Sequence, residues 1–139
     1  MKSLHTLLKL AQRDLETLRR ALAEQVALQT AVHDRILGHQ QTILNEQKAA
    51  QRDYESARAY GGYAAAALAV RRALAAEYES LGQEIDRLRT LIAEAHVETR
   101  KFARLIELDE ARKKVAAAKR ENAELDAFAT MTAGRTKSR

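Results

Sequence analysis

Apolar residues in the first third of the chain recur at alternating intervals of three and four positions. The series runs through Leu4, Leu8, Ala11, Leu15, Leu18, Leu22, Val32, Ile36 and Ile43, with Gln25 and Gln29 as polar interruptions. Such a seam keeps facing one partner as a helix winds, so it predicts a long helix packed against another helix. Beyond Ile43 the same register meets only charged residues and alanine, which predicts looser contact there.

A second seam with the same rhythm occupies the other half of the chain. It contains Leu74, Tyr78, Leu81, Ile85, Leu88, Ile92, Ala95, Phe102 and Ile106. The register then slips by two positions, and the later set is Leu108, Ala111, Val115, Ala118, Asn122, Leu125 and Ala129. A slip of this kind changes the local winding of paired helices, so we expect a less regular supercoil near residues 106–109.

The clearest break between the seams is the segment Tyr60-Gly61-Gly62-Tyr63, because paired glycines have poor helix propensity. The sequence therefore predicts an all-α fold, in which two long helices form an antiparallel coiled-coil hairpin with its turn near Gly61-Gly62. We expect one α-hairpin domain over residues 1–139. Its predicted parts are a helix over about 3–59, a turn over about 60–63, a helix over about 64–130 and a frayed basic tail over 131–139. This pairing places residue i near residue 123 − i, for example Leu15 beside Leu108.

Composition agrees with a seam and argues against a compact core. The chain has no proline, 4% aromatic, 46% hydrophobic and 31% charged residues, a balance typical of long helices. It also lacks cysteine, which removes disulfides and thiolate metal sites. No apolar run is long enough for a signal peptide or a membrane span, so the sequence predicts a cytoplasmic protein.

The positive charge is concentrated near the predicted meeting point of the two chain ends. Residues 99–120 carry eight basic side chains against three acids, and residues 1–24 carry five against three. The hairpin is therefore expected to have one basic end. That end could be a solvated face, a site for an acidic protein or a site for nucleic acid. No aromatic residue for base stacking lies among residues 113–120.

No residue pattern indicates catalysis or a cofactor. His5, His33, His39 and His96 lack the four-residue spacing that places two metal ligands on one helical face, and the carboxylates lie near basic residues that can pair with them. We therefore expect no enzyme activity, metal or cofactor. Leu125 and Phe128 lie beyond the predicted reach of the first helix, so they belong either to an interaction site or to a frayed end.

The segment from Arg120 to Ala129 reads RENAELDAFA and resembles a motif near the end of FliJ-family proteins, R…E-Q-K-x-L-D-E-x-A. This flagellar family is related to the YscO-type proteins of type III secretion. Glu121, Leu125, Asp126 and Ala129 match the motif, whereas the residues at positions 122, 123 and 127 depart from it. The chain length, the spaced leucines near the N-terminus and the two-helix layout are also similar to the family.

The resemblance implies a soluble, non-catalytic component of the flagellar export apparatus, shaped like the central stalk of rotary ATPases. Family members insert the end bearing both termini into the export ATPase ring, contact the membrane-embedded export gate and escort empty substrate chaperones. They work in the cytoplasm at the inner face of the membrane. By this resemblance the ATPase-facing residues are Arg112, Lys113, Lys119, Arg120, Glu121, Leu125, Asp126 and Phe128.

Two other classes of function remain open from the residues themselves. One is a generic coiled-coil scaffold, including a stalk subunit of a true rotary ATPase, for which the charge at the end is incidental. The other is a helical nucleic-acid-binding protein, whose binding would fall steeply as salt is raised.

Overall fold

The computed structural model describes residues 2–137, with side chains described through Arg135. Helix α1 spans Lys2–Ala50 and helix α2 spans Tyr54–Lys137. These are the only secondary-structure elements of the described range. The prediction of an all-α fold built from two long helices that pack as a hairpin is confirmed.

The connection between the helices lies at residues 51–53, ahead of the predicted turn. The amides of Gln51 and Arg52 donate to the carbonyls of Lys48 and Ala49 at 3.3 and 3.1 Å, which closes the last turn of α1 with shorter-range bonds. Asp53 then caps α2, because its Oδ1 accepts the Ser56 amide at 2.6 Å. This hydrogen bond lowers the pKa of the Asp53 carboxyl below its usual value.

The predicted turn at residues 60–63 is therefore wrong, as is a first helix reaching residue 59. Gly61 and Gly62 lie inside α2, and no residue of the described range has a positive φ. Each glycine costs a helix only about 1 kcal/mol relative to alanine, and the alanine run that follows favours the helix. The predicted second helix begins about ten residues too late and ends too early, because α2 starts at Tyr54. It continues through Lys137, so most of the predicted tail is helical, while residues 138 and 139 lie outside the described range.

Residues 14–94 form one compact unit, and its interhelical contacts fix the register. Arg35 Nη1 lies 3.4 Å from Glu77 Oε2, and the ring centroids of His33 and Tyr78 are 6.2 Å apart. At Gly82, an added Cβ would lie 3.3 Å from Gln29 Nε2. The residue numbers of these pairs add to 111 or 112, and those of His39 and Ala67, which hydrogen-bond nearer the connection, add to 106. The predicted pairing of i with 123 − i is wrong, because the reversal point that these contacts imply lies at least five residues earlier than predicted.

Burial in this unit confirms both predicted seams. Six apolar residues are 3–6% exposed: Leu15, Val32, Ala67, Leu74, Ile85 and Leu88. The other seam positions of α1 through Ile43 are half-buried, including the polar Gln25 and Gln29. Near the connection the packing is looser, as the sequence predicted: a cavity of about 180 Å³ lies beside Tyr60 and Tyr63, whose rings stand 6.0 Å apart.

The second unit contains residues 1–13 and 95–139, so both chain ends belong to it. Its half-buried seam positions are Leu4, Leu8 and Ala11 on α1 and Ala95, Thr99, Phe102 and Ile106 on α2. Asp109 is the last half-buried residue, and every residue from Glu110 to Arg135 is exposed. The stripe that follows the predicted register slip is thus uncovered.

We predict that the double variant Ile36→Cys/Leu74→Cys forms an intramolecular disulfide on oxidation at high dilution. Both residues lie on the seam of unit 14–94, and the observed register places them close together. The matched control is Ile36→Cys/Arg87→Cys, whose numbers add to 123 as the sequence-derived pairing requires. Mobility in non-reducing electrophoresis distinguishes the two; closure in the control alone would contradict the observed register.

Candidate partner-binding surfaces

The uncovered part of α2 over residues 110–135, here called the arm, is the main candidate site. At about 1.5 Å per residue it is roughly 40 Å of single helix. It belongs to the unit that holds both chain ends. A lone helix of this length has no apolar partner to stabilise it, so the sequence must support it locally.

Local sequence explains why the arm is helical. It continues an existing helix, so no unfavourable nucleation step is needed. Ala116, Ala117 and Ala118 have the highest helix propensity of any residue type. The arm therefore remains helical without a second helix beside it.

The arm carries large exposed apolar residues along its length. Exposure is 56% for Val115, 65% for Leu125, 70% for Phe128 and 61% for Met131. An open hollow of about 430 Å³ lies at the start of the arm, lined by Leu108, Ala111, Arg112, Val115, Ala116 and Lys119. Exposed apolar groups rimmed by charge are typical of a protein interaction surface.

Charge divides the arm into two halves of opposite sign. Residues 112–120 contain five basic side chains and no acid, whereas residues 121–126 contain three acids and no base. The whole unit that includes the arm has 14 basic and 7 acidic residues, which give a net charge of +7. Residues 14–94 have 10 basic and 12 acidic residues, which give a net charge of −2. The predicted concentration of positive charge near the chain ends is thus present.

All eight residues assigned to the ATPase-facing site lie on the arm and are exposed: Arg112, Lys113, Lys119, Arg120, Glu121, Leu125, Asp126 and Phe128. Lys113 is engaged within the helix, where Nζ lies 3.4 Å from Asp109 Oδ2. The sequence-derived register placed the basic residues of this set beside α1; the structure leaves them uncovered instead. Sequence reasoning missed Met131, which the three-residue spacing from Leu125 through Phe128 could have indicated.

A second exposed surface lies on α1 within unit 14–94, and sequence reasoning did not single it out. Its members follow a three-and-four spacing outside the seam, and all are exposed: Val26, Thr30, His33, Leu37, Gln40 and Leu44. None is charged, although 31% of the chain is. Leu37 and Leu44 are 50% and 51% exposed. We call this surface the uncharged stripe; the absence of charge at these spacings was the signal that could have revealed it.

The histidines have local roles in the structure. His39 Nε2 lies 3.0 Å from the carbonyl oxygen of Ala67, a hydrogen bond between the two helices, and His33 contacts the Tyr78 ring. Within residues 2–137 no group of three potential ligands is placed to hold a metal ion. Neither helix, over its described length, has a stretch apolar enough to cross a membrane.

Two long helices that pack as a hairpin define the structural class of this protein. The family profile described as Flagellar FliJ protein matches residues 1–138. The chain belongs to the flagellar FliJ family, and it is a component of the flagellar export apparatus, in a family that is non-catalytic. No curated protein and no solved structure matches it.

We predict that the exposed anchors of the arm contribute little to folding. The double variant Leu125→Ala/Phe128→Ala should keep the free energy of unfolding within about 0.5 kcal/mol of the parent, because both side chains are already in water. Leu74→Ala, at a buried seam position, should lower it by roughly 2–5 kcal/mol. Urea unfolding followed by circular dichroism measures both; a large loss in the arm variant would mean that the arm packs against the rest of the chain.

Proposed function

We propose that this protein is the stalk and activator of the flagellar export ATPase, and that the arm is the part that enters the ATPase ring. The observation that carries the proposal is the arm itself, a single helix with exposed apolar anchors, in the unit that holds both chain ends. A stalk held by a ring must expose helix that its own hairpin does not cover. The arm meets that requirement, because every residue from Glu110 to Arg135 is exposed.

Charge and apolar contacts have different roles in this proposal. The basic residues Arg112, Lys119 and Arg120 steer the arm toward an acidic opening and speed association, since long-range attraction acts mainly on the rate of encounter. Leu125 and Phe128 supply the contacts that hold the complex together, because large apolar side chains that become buried dominate binding energy. Lys113, Glu121 and Asp126 complete the polar rim.

The same proposal places the protein in the cytoplasm, at the inner face of the membrane, where the ATPase meets the export gate. The gate is the second partner and contacts the hairpin while the arm is held by the ring. No nucleic acid, cofactor or small-molecule substrate enters this function. The acidic half of the arm supports the exclusion of nucleic acid, because residues 121–126 would repel a phosphate backbone.

We predict that the parent protein promotes oligomerisation and ATP hydrolysis by the flagellar export ATPase encoded with it. The variant Leu125→Ala/Phe128→Ala should raise the concentration needed for half-maximal activation by about tenfold or more, because two anchors are removed. The control Leu37→Ala/Leu44→Ala removes apolar residues of similar exposure from the other unit and should activate normally. Full activation by the arm variant would refute the assignment of the arm.

A specific observation also favours the escort of export chaperones. The uncharged stripe offers Val26, Leu37 and Leu44 on one helical face, which suits a partner helix laid alongside α1. It lies in the unit that excludes the arm, so one molecule can hold a chaperone and the ATPase at once. We therefore assign the stripe to the chaperones and the arm to the ATPase.

We predict that Leu37→Glu/Leu44→Glu abolishes co-purification of the cognate export chaperones, because the new carboxylates would have to be buried unpaired in the interface. The same variant should still activate the ATPase. Leu125→Ala/Phe128→Ala should show the opposite pattern, keeping the chaperones while losing activation. Loss of both activities in either variant would show that the two partners share a single surface.

A further inference from the structure

We propose that the apolar stripe of the arm pairs with the arm of a second copy of this chain, in antiparallel orientation. The stripe comprises Leu108, Ala111, Val115, Ala118, Asn122, Leu125, Ala129 and Thr132, at alternating three- and four-residue spacings. From Ala111 onward these side chains are exposed in a single chain, and Leu108 is 38% exposed. A heptad stripe without a facing helix has the geometry to bind another helix of the same kind.

The spacing of the stripe allows an antiparallel pair with two-fold symmetry. In such a pair residue i of one copy faces residue 240 − i of the other copy. Leu108 faces Thr132, Ala111 faces Ala129, Val115 faces Leu125 and Ala118 faces Asn122, and each layer occurs twice. Layers with larger side chains, such as Val115 with Leu125, alternate along this seam with layers of smaller ones, such as Ala111 with Ala129.

Charge selects the antiparallel orientation over the parallel one. With Leu108 at heptad position a, Arg112 and Asp126 both occupy position e, and antiparallel helices bring e against e. Each Arg112 then meets Asp126 of the other copy, twice per dimer. Lys119 and Glu121 each meet their own copies only once, at the symmetry axis. A parallel pair would instead oppose Lys114 to Lys119 and Glu121 to Asp126, each of them twice.

The basic half and the acidic half of the arm are thus arranged so that self-pairing brings opposite signs together. The small side chains limit the strength of this pairing, because three of the eight stripe positions are alanine and two of the eight layers pair alanine with alanine. We infer a reversible dimer, formed at high local concentration and weakened by salt.

Dimerisation hides the residues that the proposed function gives to the ATPase, namely Arg112, Leu125 and Asp126. Self-pairing and entry into the ring therefore compete for one surface. This consequence rests on the proposed function, whereas the dimer itself does not. Molecules in excess over the ATPase ring would pair with each other through their arms until a ring binds them.

The first test is sedimentation equilibrium of the whole chain at low salt over a concentration series. The average mass should rise from 15.6 kDa toward twice that value. Arg112→Glu and Asp126→Arg should each weaken association about tenfold, because two attractive pairs become repulsive. The double exchange Arg112→Glu/Asp126→Arg should restore it, and Arg72→Glu on the other unit controls for net charge. Circular dichroism verifies that each variant is folded.

A monomer at every concentration would overturn the proposal, as would failure of the double exchange to restore association. Orientation has its own test, because the chain contains no cysteine to interfere. Oxidation of a mixture of Val115→Cys and Leu125→Cys should join the two variants to each other. A disulfide formed by Leu125→Cys alone would show a parallel pair and overturn the antiparallel arrangement. Neither experiment contains the ATPase, so their failure leaves the proposed function standing.

Discussion

Apolar contact across a single seam is the interaction on which this molecule depends. Each helix has one narrow stripe of leucine, isoleucine, valine and alanine, and only six of these residues are nearly fully buried. A helix of this length is stabilised chiefly by the apolar stripe of the helix that faces it, since the buried residues of the described range all lie between the two helices. Where a facing stripe is present the helices pair, and where it stops the side chains are exposed. Residue 110 is therefore a packing boundary, beyond which the described side chains of α2 are exposed.

Polar contacts between the helices determine their register more than they contribute to stability. Gln29 lies against Gly82, where an added Cβ would lie 3.3 Å from its Nε2, and Arg35 pairs with Glu77 at the edge of the seam. The described ion pairs involve exposed side chains and contribute little each. The pairs other than Arg35–Glu77 lie within one helix, so the interhelical contacts at Gln29 and Arg35 fix the level at which the two helices meet. Hydrophobic contact holds the pair together, and these contacts determine its register.

The sequence predicted the seams because their periodicity survives in the folded chain, from Leu4 to Ile43 and from Leu74 to Ile106. It failed at the connection because the two glycines received too much weight. A glycine pair inside α2 costs little, whereas Asp53 ahead of Glu55 and Ser56 is a helix-start signal whose capping bond ends the break. One misplaced turn then shifted the whole predicted register. The assignment of the arm residues to a partner stays a prediction, and their full exposure could not be predicted until the length of α1 was known.

The three-residue connection has a further consequence for how this molecule can change in evolution. The connection at residues 51–53 determines which residues of α1 face which residues of α2. Residues added or lost at the far end of α2 leave that pairing untouched. The length of the arm can therefore change independently of the helix pairing. Insertion of whole heptads into the arm would lengthen it, and the paired part of α1 and α2 would not need to repack.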